Sequence, residues 1–329
     1  MNFLELCKDD LRDVEKEMML LVEKREKRTF GIIPSFLERG GKRMRPLLLL
    51  LFFHAFNGKD LKNAKRMAAL IEMFHNFTLI HDDIEDNSRY RRGKPTLHIE
   101  YGIPMALNSG DALYTLVLKE ISELDMEPSR VVSLMRLCSN AFLQVVEGQG
   151  IEISWEQENS FEIKEKDYYH MISKKTGALI ALSCEVGAYL AGATEEEQQV
   201  ARKFGENIGV AFQICDDILN LTAQFEKYKK EIGGDITEGK RTLMVIKTLE
   251  IADEKDREVL KEIISSRTTN QKRIEEAISI IKKYGALEYA AEKARLLVEQ
   301  AQQLLIILKP SPYKTALLQI ADYVLTREN

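Results

Sequence analysis

A chain of 329 residues, 45% hydrophobic and 30% charged, can bury a large core, and its length allows one large domain or two ordinary ones. Its net charge of −5 offers no general attraction to nucleic acid, and its longest unbroken apolar run, Leu47 to Phe53, is far too short to be a transmembrane segment. Cys7, Cys138, Cys184 and Cys215 stand among apolar neighbours without metal-ligand spacing and nothing resembles a secretory signal, so a soluble protein of the reducing cytoplasm is expected.

Proline usage argues for helices. Residues 129 to 309 contain none, whereas chains built of strands and tight turns rarely avoid proline for so long. Leu, Ala, Glu, Lys and Ile dominate, and the one Asn-Gly pair, Asn57-Gly58, ends a helical run rather than joining two strands. An all-α chain forming a single domain over residues 1–329 is expected. Residues 3 to about 27 read as a charged amphipathic helix, broken by Gly31 to Pro34. Then comes Arg39-Gly-Gly-Lys-Arg-Met-Arg-Pro46, in which two glycines and the cations Lys42, Arg43 and Arg45 precede a first-turn proline. This is either a phosphate cradle at a helix N-terminus or an ordinary basic turn.

A helix from about Pro46 to Phe56 leads to a longer one from about Asp60 to Ser88. From Met67 to Ile80 the longer helix is apolar around most of its circumference, which predicts a segment enclosed by protein. One polar stripe interrupts it: Glu72, His75, Asp82 and Asp86 share a face, with Asp83 beside it. Two like charges about 6 Å apart repel by roughly 3 kcal/mol at an effective dielectric near 20, so a cation is expected at this acidic end. Carboxylates on successive turns suit a hard divalent ion such as Mg2+, which takes its remaining ligands from water and substrate phosphates. Arg89, Arg91, Arg92 and Lys94 follow at once, as expected if an anion lies against the metal.

Thr96 to Tyr101 adds a turn, and Pro104 opens a helix to about Leu124 in which Gly110-Asp111 suggests a close helix crossing. A long helix over about 128 to 158 has an apolar face interrupted by Gly148-Gln149 and Glu152. Helices over about 165 to 190 and 195 to 222 complete a bundle core. The first carries Lys174-Lys175-Thr176 between apolar residues, where a lysine can also simply snorkel to the surface. The second carries Phe212-Gln213-Ile214-Cys215-Asp216-Asp217-Ile218-Leu219-Asn220, a second acidic pair emerging from an apolar helix. Lys230, Gly233-Gly234-Asp235 and Glu238-Gly239-Lys240 form a glycine-bearing loop, and amphipathic helices follow from about Thr242 to Arg327.

Two acidic helix ends facing one another would hold a small cluster of Mg2+ ions, and the basic patches carry more positive charge than one anion needs. Two polyphosphate ligands are implied, and the apolar walls on the same helices suit a hydrocarbon attached to them. The chain here resembles the trans-isoprenyl diphosphate synthases, on motifs in order from Gly40-Gly-Lys-Arg-Met-Arg-Pro46 through Asp82-Asp83-x-x-Asp86, Arg91-Arg92-Gly93, Lys175-Thr176, Phe212-Gln213-x-x-Asp216-Asp217 and Glu238-Gly239-Lys240-x-Thr242. The resemblance covers nearly the whole chain. It implies an all-α bundle of about 10 to 14 helices around a deep central apolar cavity, and a homodimer.

It also implies the chemistry. The substrates would be isopentenyl diphosphate and allylic diphosphates, with about three Mg2+ ions per site held by Asp82, Asp86 and Asp216. Asp83 and Asp217 complete the two acidic motifs. Arg91, Lys175, Lys230 and Lys240 would stabilise the departing diphosphate, while Lys42, Arg45, His75 and Arg92 would hold isopentenyl diphosphate. Thr176 and Gln213 would place oxygens near the allylic carbocation, from which water must be excluded. A histidine on an apolar helix is often a satisfied core residue; the stripe shared with Asp82 favours a site role for His75. Asn220 replaces the usual third aspartate of the second motif; asparagine can still hydrogen-bond a metal-bound water, so metal binding weakened at most is expected.

Product length in this family is set below the first motif. One helical turn of about 5.4 Å approximates an isoprene unit. Phe77 is then the aromatic stop beside the small Thr78, with Met73 and Phe74 one turn deeper, and the uninterrupted first motif is similar to the archaeal geranylgeranyl type. A C20 product is expected, with C15 and C25 as alternatives. A terpene cyclase has no need for a second diphosphate site, and a non-catalytic subunit typically loses an acidic motif; both fit this sequence less well.

Overall fold

The computed structural model describes residues 3–222 and 233–326, and these are almost entirely helical, as expected. They pack as two compact units, each assembled from separated segments. The first takes in Met1–Ala141, Leu179–Gly205 and Leu304–Ile320, the second Phe142–Ala178, Glu206–Gln303 and Ala321–Asn329.

In the first unit, α1 (Lys8–Glu23), α2 (Met44–Ala55), α3 (Leu61–Glu85) and α4 (Ile103–Ser122) surround one core. The helix expected over residues 3–27 is divided: a single turn, Phe3–Leu6, ends at Cys7, and α1 stops at Glu23. Leu47 through Phe53 of α2 are buried without interruption, as are Met67 through Phe74 of α3, so neither helix has a wet face in its middle. The α3 helix packs on α1, α2 and α4. Asp60 caps it, its side chain accepting from Asn63 N at 3.1 Å. Buried Glu72 on α3 is neutralised by Arg43, whose Nη1 donates to Oε1 at 3.1 Å while Nη2 donates to the Leu37 carbonyl at 2.9 Å. Removing one partner of such a buried pair costs about 3–5 kcal/mol.

The basic stretch after α3 is not an open loop. Tyr90–Arg91 (β1) pairs antiparallel with Lys94–Pro95 (β2). Between them Arg92 and Gly93 both take positive φ, 54° and 75°, the requirement of the tight hairpin turn that matches strand twist.

The helix α5 (Pro128–Gln157) begins in the first unit and continues in the second. There, α6 (Glu165–Ile172) runs into a π-helical turn, Ser173–Gly177, before α7 (Ala178–Ala191). The single helix expected over 165–190 is therefore interrupted at its lysine pair. The helix α8 (Glu195–Thr222) carries the second acidic motif, and α9 (Leu243–Ile251), α10 (Glu254–Ser266), α11 (Gln271–Lys283) and α12 (Ala286–Leu304) follow, before α13 (Pro312–Thr326). Among the described residues no helix is long and apolar enough to cross a membrane.

Helix α7 lies against α2 so closely that a Cβ on Gly187 would overlap the carbonyl oxygen of Leu49. Backbone, not a movable side chain, occupies that space. Gly187→Ala is expected to destabilise the protein by about 1–3 kcal/mol despite its better helix propensity. Urea unfolding measures it; an unchanged or raised midpoint would show that α2 and α7 do not cross in contact there.

Candidate active site

The first unit gathers acid and base around the end of α3. Asp82 and Asp86, one turn apart, are half-buried, and Asp83 is buried beside them. The hairpin turns Arg91 back onto this end: its Nε donates to Asp83 Oδ1 at 2.6 Å and its Nη2 to Asp82 Oδ2 at 3.1 Å. Arg91 thus fills the cationic role that the sequence assigned to metal, and it holds carboxylates directly rather than pointing only at an anion. Asp83 Oδ2 remains buried with no hydrogen-bond partner among the described residues. Burial pushes the Asp83 carboxyl up to about 6, against the opposing charge and hydrogen bond of Arg91. An orphaned carboxylate oxygen in an oxygen-only donor set fits an added hard cation, which Arg91 cannot fully replace.

Seven residues before Asp82, roughly 10 Å along the helix, His75 is half-buried. Burial pushes its imidazole well below the ordinary range, and the guanidinium groups of Arg45, Arg92, Arg91 and Arg43 push it the same way. Arg43 is occupied by Glu72 and Glu15. Arg45 is not: its Nε–H is buried without a partner among the described residues, and burial pushes the guanidinium down to about 10. Such a group can take an anion as its partner. The exposed Arg92 donates to the Gly40 carbonyl, and a Cβ on Gly41 would come within 2.8 Å of its Nη2, so Gly41, at a φ of 142°, leaves the guanidinium its place against the glycine pair. Lys42 is exposed beside them.

Below the acidic end, Phe77 sits in an aromatic cluster. Its ring stacks on Tyr114 of α4 at 5.3 Å and meets Phe74 at 5.2 Å and His81 edge-on at 4.7 Å. Met73 and Phe74 are fully buried, whereas Phe77 and Thr78 are half-buried, and Thr78 Oγ1 donates to the His75 carbonyl at 2.8 Å. Gly110 is the close crossing expected, since a Cβ there would overlap the His81 ring. Sequence reasoning did not place Tyr114; a glycine one turn before an aromatic was the only local sign of it.

The second unit holds the other motif residues. Asp217 is buried and accepts from Tyr168 Oη at 3.0 Å and Gln213 Nε2 at 2.8 Å. Gln213 Oε1 in turn accepts from Thr176 Oγ1 at 3.2 Å. Thr176 and Gln213 therefore belong to one chain of hydrogen bonds that ends on a carboxylate, and the Gln213 oxygen expected near a cation is engaged with Thr176. Burial and the neighbouring Asp235 and Asp216 push the Asp217 carboxyl well up, a penalty that a nearby divalent cation relieves. Asp216 is half-buried next to it. Lys175 lies in the π-helical turn and pairs with the carboxylate of Glu152; such turns often mark functional positions. Lys240 pairs with Glu238. Lys230 lies outside the described residues.

Asn220 has a job other than a metal contact. Its Oδ1 accepts from Asp235 N at 3.2 Å and its carbonyl accepts from Gly233 N at 2.9 Å, so it anchors the start of the short helix Gly234–Glu238. An aspartate would add a charge beside Asp235. Tyr168, like Tyr114, escaped sequence reasoning: 49 residues separate it from Asp217, and no periodicity links them.

The neutral state of His75 has a measurable consequence. In the unfolded chain a histidine titrates near 6.5, so between that value and its lower folded value the unfolded state binds the extra proton, and stability falls as pH drops below about 6.5. The ring C–H resonances of His75, assigned with a His75→Gln variant, are expected to stay at neutral-imidazole positions from about pH 8 to about pH 5.5. A titration midpoint near 6.5 would contradict the arginine-flanked environment.

Residues 27–281 match the family model for polyprenyl synthetase. The chain is 40% identical over 290 residues to a short chain isoprenyl diphosphate synthase of Methanothermobacter thermautotrophicus, covering 88% of this chain and 87% of that one. It is 35% identical to a geranylgeranyl pyrophosphate synthase of Geoglobus acetivorans over 99% of both. The crystal structure of a geranylgeranyl pyrophosphate synthetase from Pyrococcus horikoshii superposes with a TM-score of 0.91 at 33% identity, covering 99% of this chain and 98% of that one. With acidic motifs at the ends of α3 and α8 and an arginine whose buried Nε–H has no partner among the described residues beside a neutral histidine, the chain belongs to the polyprenyl synthetase family and is a trans-prenyl diphosphate synthase.

Proposed function

We propose that the chain condenses isopentenyl diphosphate with allylic diphosphates head to tail (1′-4) and releases mainly the C20 product, geranylgeranyl diphosphate. The observation that carries a two-diphosphate reading is Arg45, whose buried Nε–H lacks an acceptor beside His75, apart from the carboxylates served by Arg91. An anion held by Arg45, Arg92 and Lys42 is distinct from one held against Asp82 and Asp86. We assign the first to isopentenyl diphosphate and the second to the allylic substrate.

Mg2+, about three ions, supplies charge neutralisation of the departing diphosphate when bound, and Asp82, Asp86 and Asp216 are the residues that would hold it. Arg91, Lys175, Lys230 and Lys240 add fixed positive charge for that leaving group. Neutral His75 donates a hydrogen bond to the isopentenyl diphosphate without adding a charge. Thr176 and Gln213 orient Asp217, and the Thr176 hydroxyl oxygen, which donates its proton to Gln213, is the dipole offered to the allylic cation. Attack by the isopentenyl double bond and loss of one proton complete the elongation. In our reading residues 1–329 form a single catalytic domain.

The C20 assignment rests on Phe77, half-buried and braced by Phe74 and Tyr114, which makes it a stiff stop about one and a half turns below Asp82. We also propose a homodimer, because Ile103, Met105, Leu107 and Tyr114 leave α4 with an exposed apolar face, and a cytoplasmic setting, because none of the four cysteines is joined in a disulfide.

Incubation with Mg2+, labelled isopentenyl diphosphate and C5, C10 or C15 allylic primers tests the reading. A chain ending at C20 is expected, and Phe77→Ser should shift the distribution to longer products; C15 or C25 from the unaltered protein moves the stop elsewhere, and no condensation by folded protein overturns the reading. Asp82→Asn should lower kcat by about 100-fold or more, with far-ultraviolet circular dichroism unchanged.

A further inference from the structure

We propose that Cys7, Asp10 and His54 form a binding site for a thiophilic divalent cation of the zinc class, separate from the carboxylates of the prenyl reaction. One ligand atom from each residue, Sγ, a carboxylate oxygen and an imidazole nitrogen, lies within 4.8 Å of the other two. A zinc ion binds sulfur at about 2.3 Å and nitrogen or oxygen at about 2.0–2.2 Å, so an inward adjustment of under about 1 Å brings all three into its shell. Thiolate and imidazole together select zinc-class ions over Mg2+.

The three side chains are brought together by the fold, not by sequence spacing. Cys7 precedes α1, is 1% exposed and makes no capping hydrogen bond with its side chain. Asp10 follows one turn later. His54 reaches them from the last turn of α2, its Nε2 3.1 Å from Asp10 Oδ2. Two neighbours steady these ligands. Lys65 Nζ lies 2.9 Å from Asp10 Oδ1 and fixes that carboxylate from the far side, and the Tyr313 ring stacks on the His54 imidazole at 4.8 Å.

On binding, the Cys7 thiol releases its proton to solvent, and the hydrogen bond from His54 Nε2–H to Asp10 gives way to the ion, the neutral ring then carrying its one proton on Nδ1 with the Nε2 lone pair on the metal. A water completes four-coordination. Without a cation, burial and Asp10 push the thiol up to about 12. The bound ion would tie α1 to the far end of α2, roughly 14 Å along the helix from Arg45, and stabilise the folded chain by mass action.

Cobalt(II), titrated into the full-length protein at about pH 7.5 in excess Mg2+, is the probe. One equivalent is expected to give thiolate-to-cobalt charge-transfer absorption and the visible bands of a four-coordinate centre, both abolished by added Zn2+. Cys7→Ser should remove the charge-transfer band. His54→Gln should weaken binding by more than the 10- to 100-fold, roughly, that loss of an outer partner costs, and Cys215→Ser should change nothing. Absence of the band, or its survival in Cys7→Ser, overturns the proposal. Should Cys7→Ser fail to fold, cobalt X-ray absorption on the unaltered protein decides: one sulfur and one imidazole in the inner shell support the site, and an oxygen-only shell overturns it.

Discussion

Three carboxylates stand at the carboxyl end of a helix, where the unpaired carbonyls already make the backbone negative, so Asp82, Asp83 and Asp86 oppose both one another and the α3 dipole. Only positive charge brought from outside the helix can hold them there. The hairpin after α3 brings Arg91, and its bidentate grip on Asp82 and Asp83 is the constraint on which the arrangement of this end depends. Asp83 shows that the compensation is incomplete: one of its oxygens stays buried and unpartnered. A helix end left short of positive charge is suited to a ligand that arrives with its own cations.

The scaffold beneath is stiff for a different reason. Apolar side chains surround α2 and α3 on every side, and close-packed interiors do not deform gradually. Arg43, spent on Glu72, fixes the start of α2 and so the neighbouring, half-buried Arg45, whose Nε–H is buried without an acceptor among the described residues. Within one tripeptide, then, one arginine stabilises the fold and another is available for an anion. In the second unit the Tyr168, Gln213 and Thr176 hydrogen bonds give Asp217 the same kind of internal support.

Features with local signatures were legible in the sequence. The stripe from Glu72 to Asp86 follows from helical offsets, the enclosure of Met67 to Phe74 from hydrophobicity, and the crossing at Gly110 from a small residue on an apolar face. Pairings between distant residues were not. Nothing in the spacing of Tyr168 and Asp217 announces a hydrogen bond, and the stacking of Tyr114 on Phe77 needs two helices to meet. The π-helical turn at Lys175 depends on an extra residue accommodated in a helix, which a search for regular periodicity reads straight through. The hairpin was missed because two-residue strands are too short to alternate, so the basic residues read as a loop instead of as the device that turns Arg91 back. The bond of Asn220 to the backbone of Asp235, 15 residues on, is likewise visible only in the fold.

The central claim is that the acidic ends accept cations together with a diphosphate, not independently of it. Equilibrium binding of a non-reactive allylic diphosphate analogue, measured calorimetrically with and without Mg2+, tests this most directly. Reciprocal coupling is predicted: the analogue should bind at least about 100-fold more tightly with Mg2+, and Mg2+ more tightly with the analogue. Affinity for the analogue that is indifferent to Mg2+ would contradict the account.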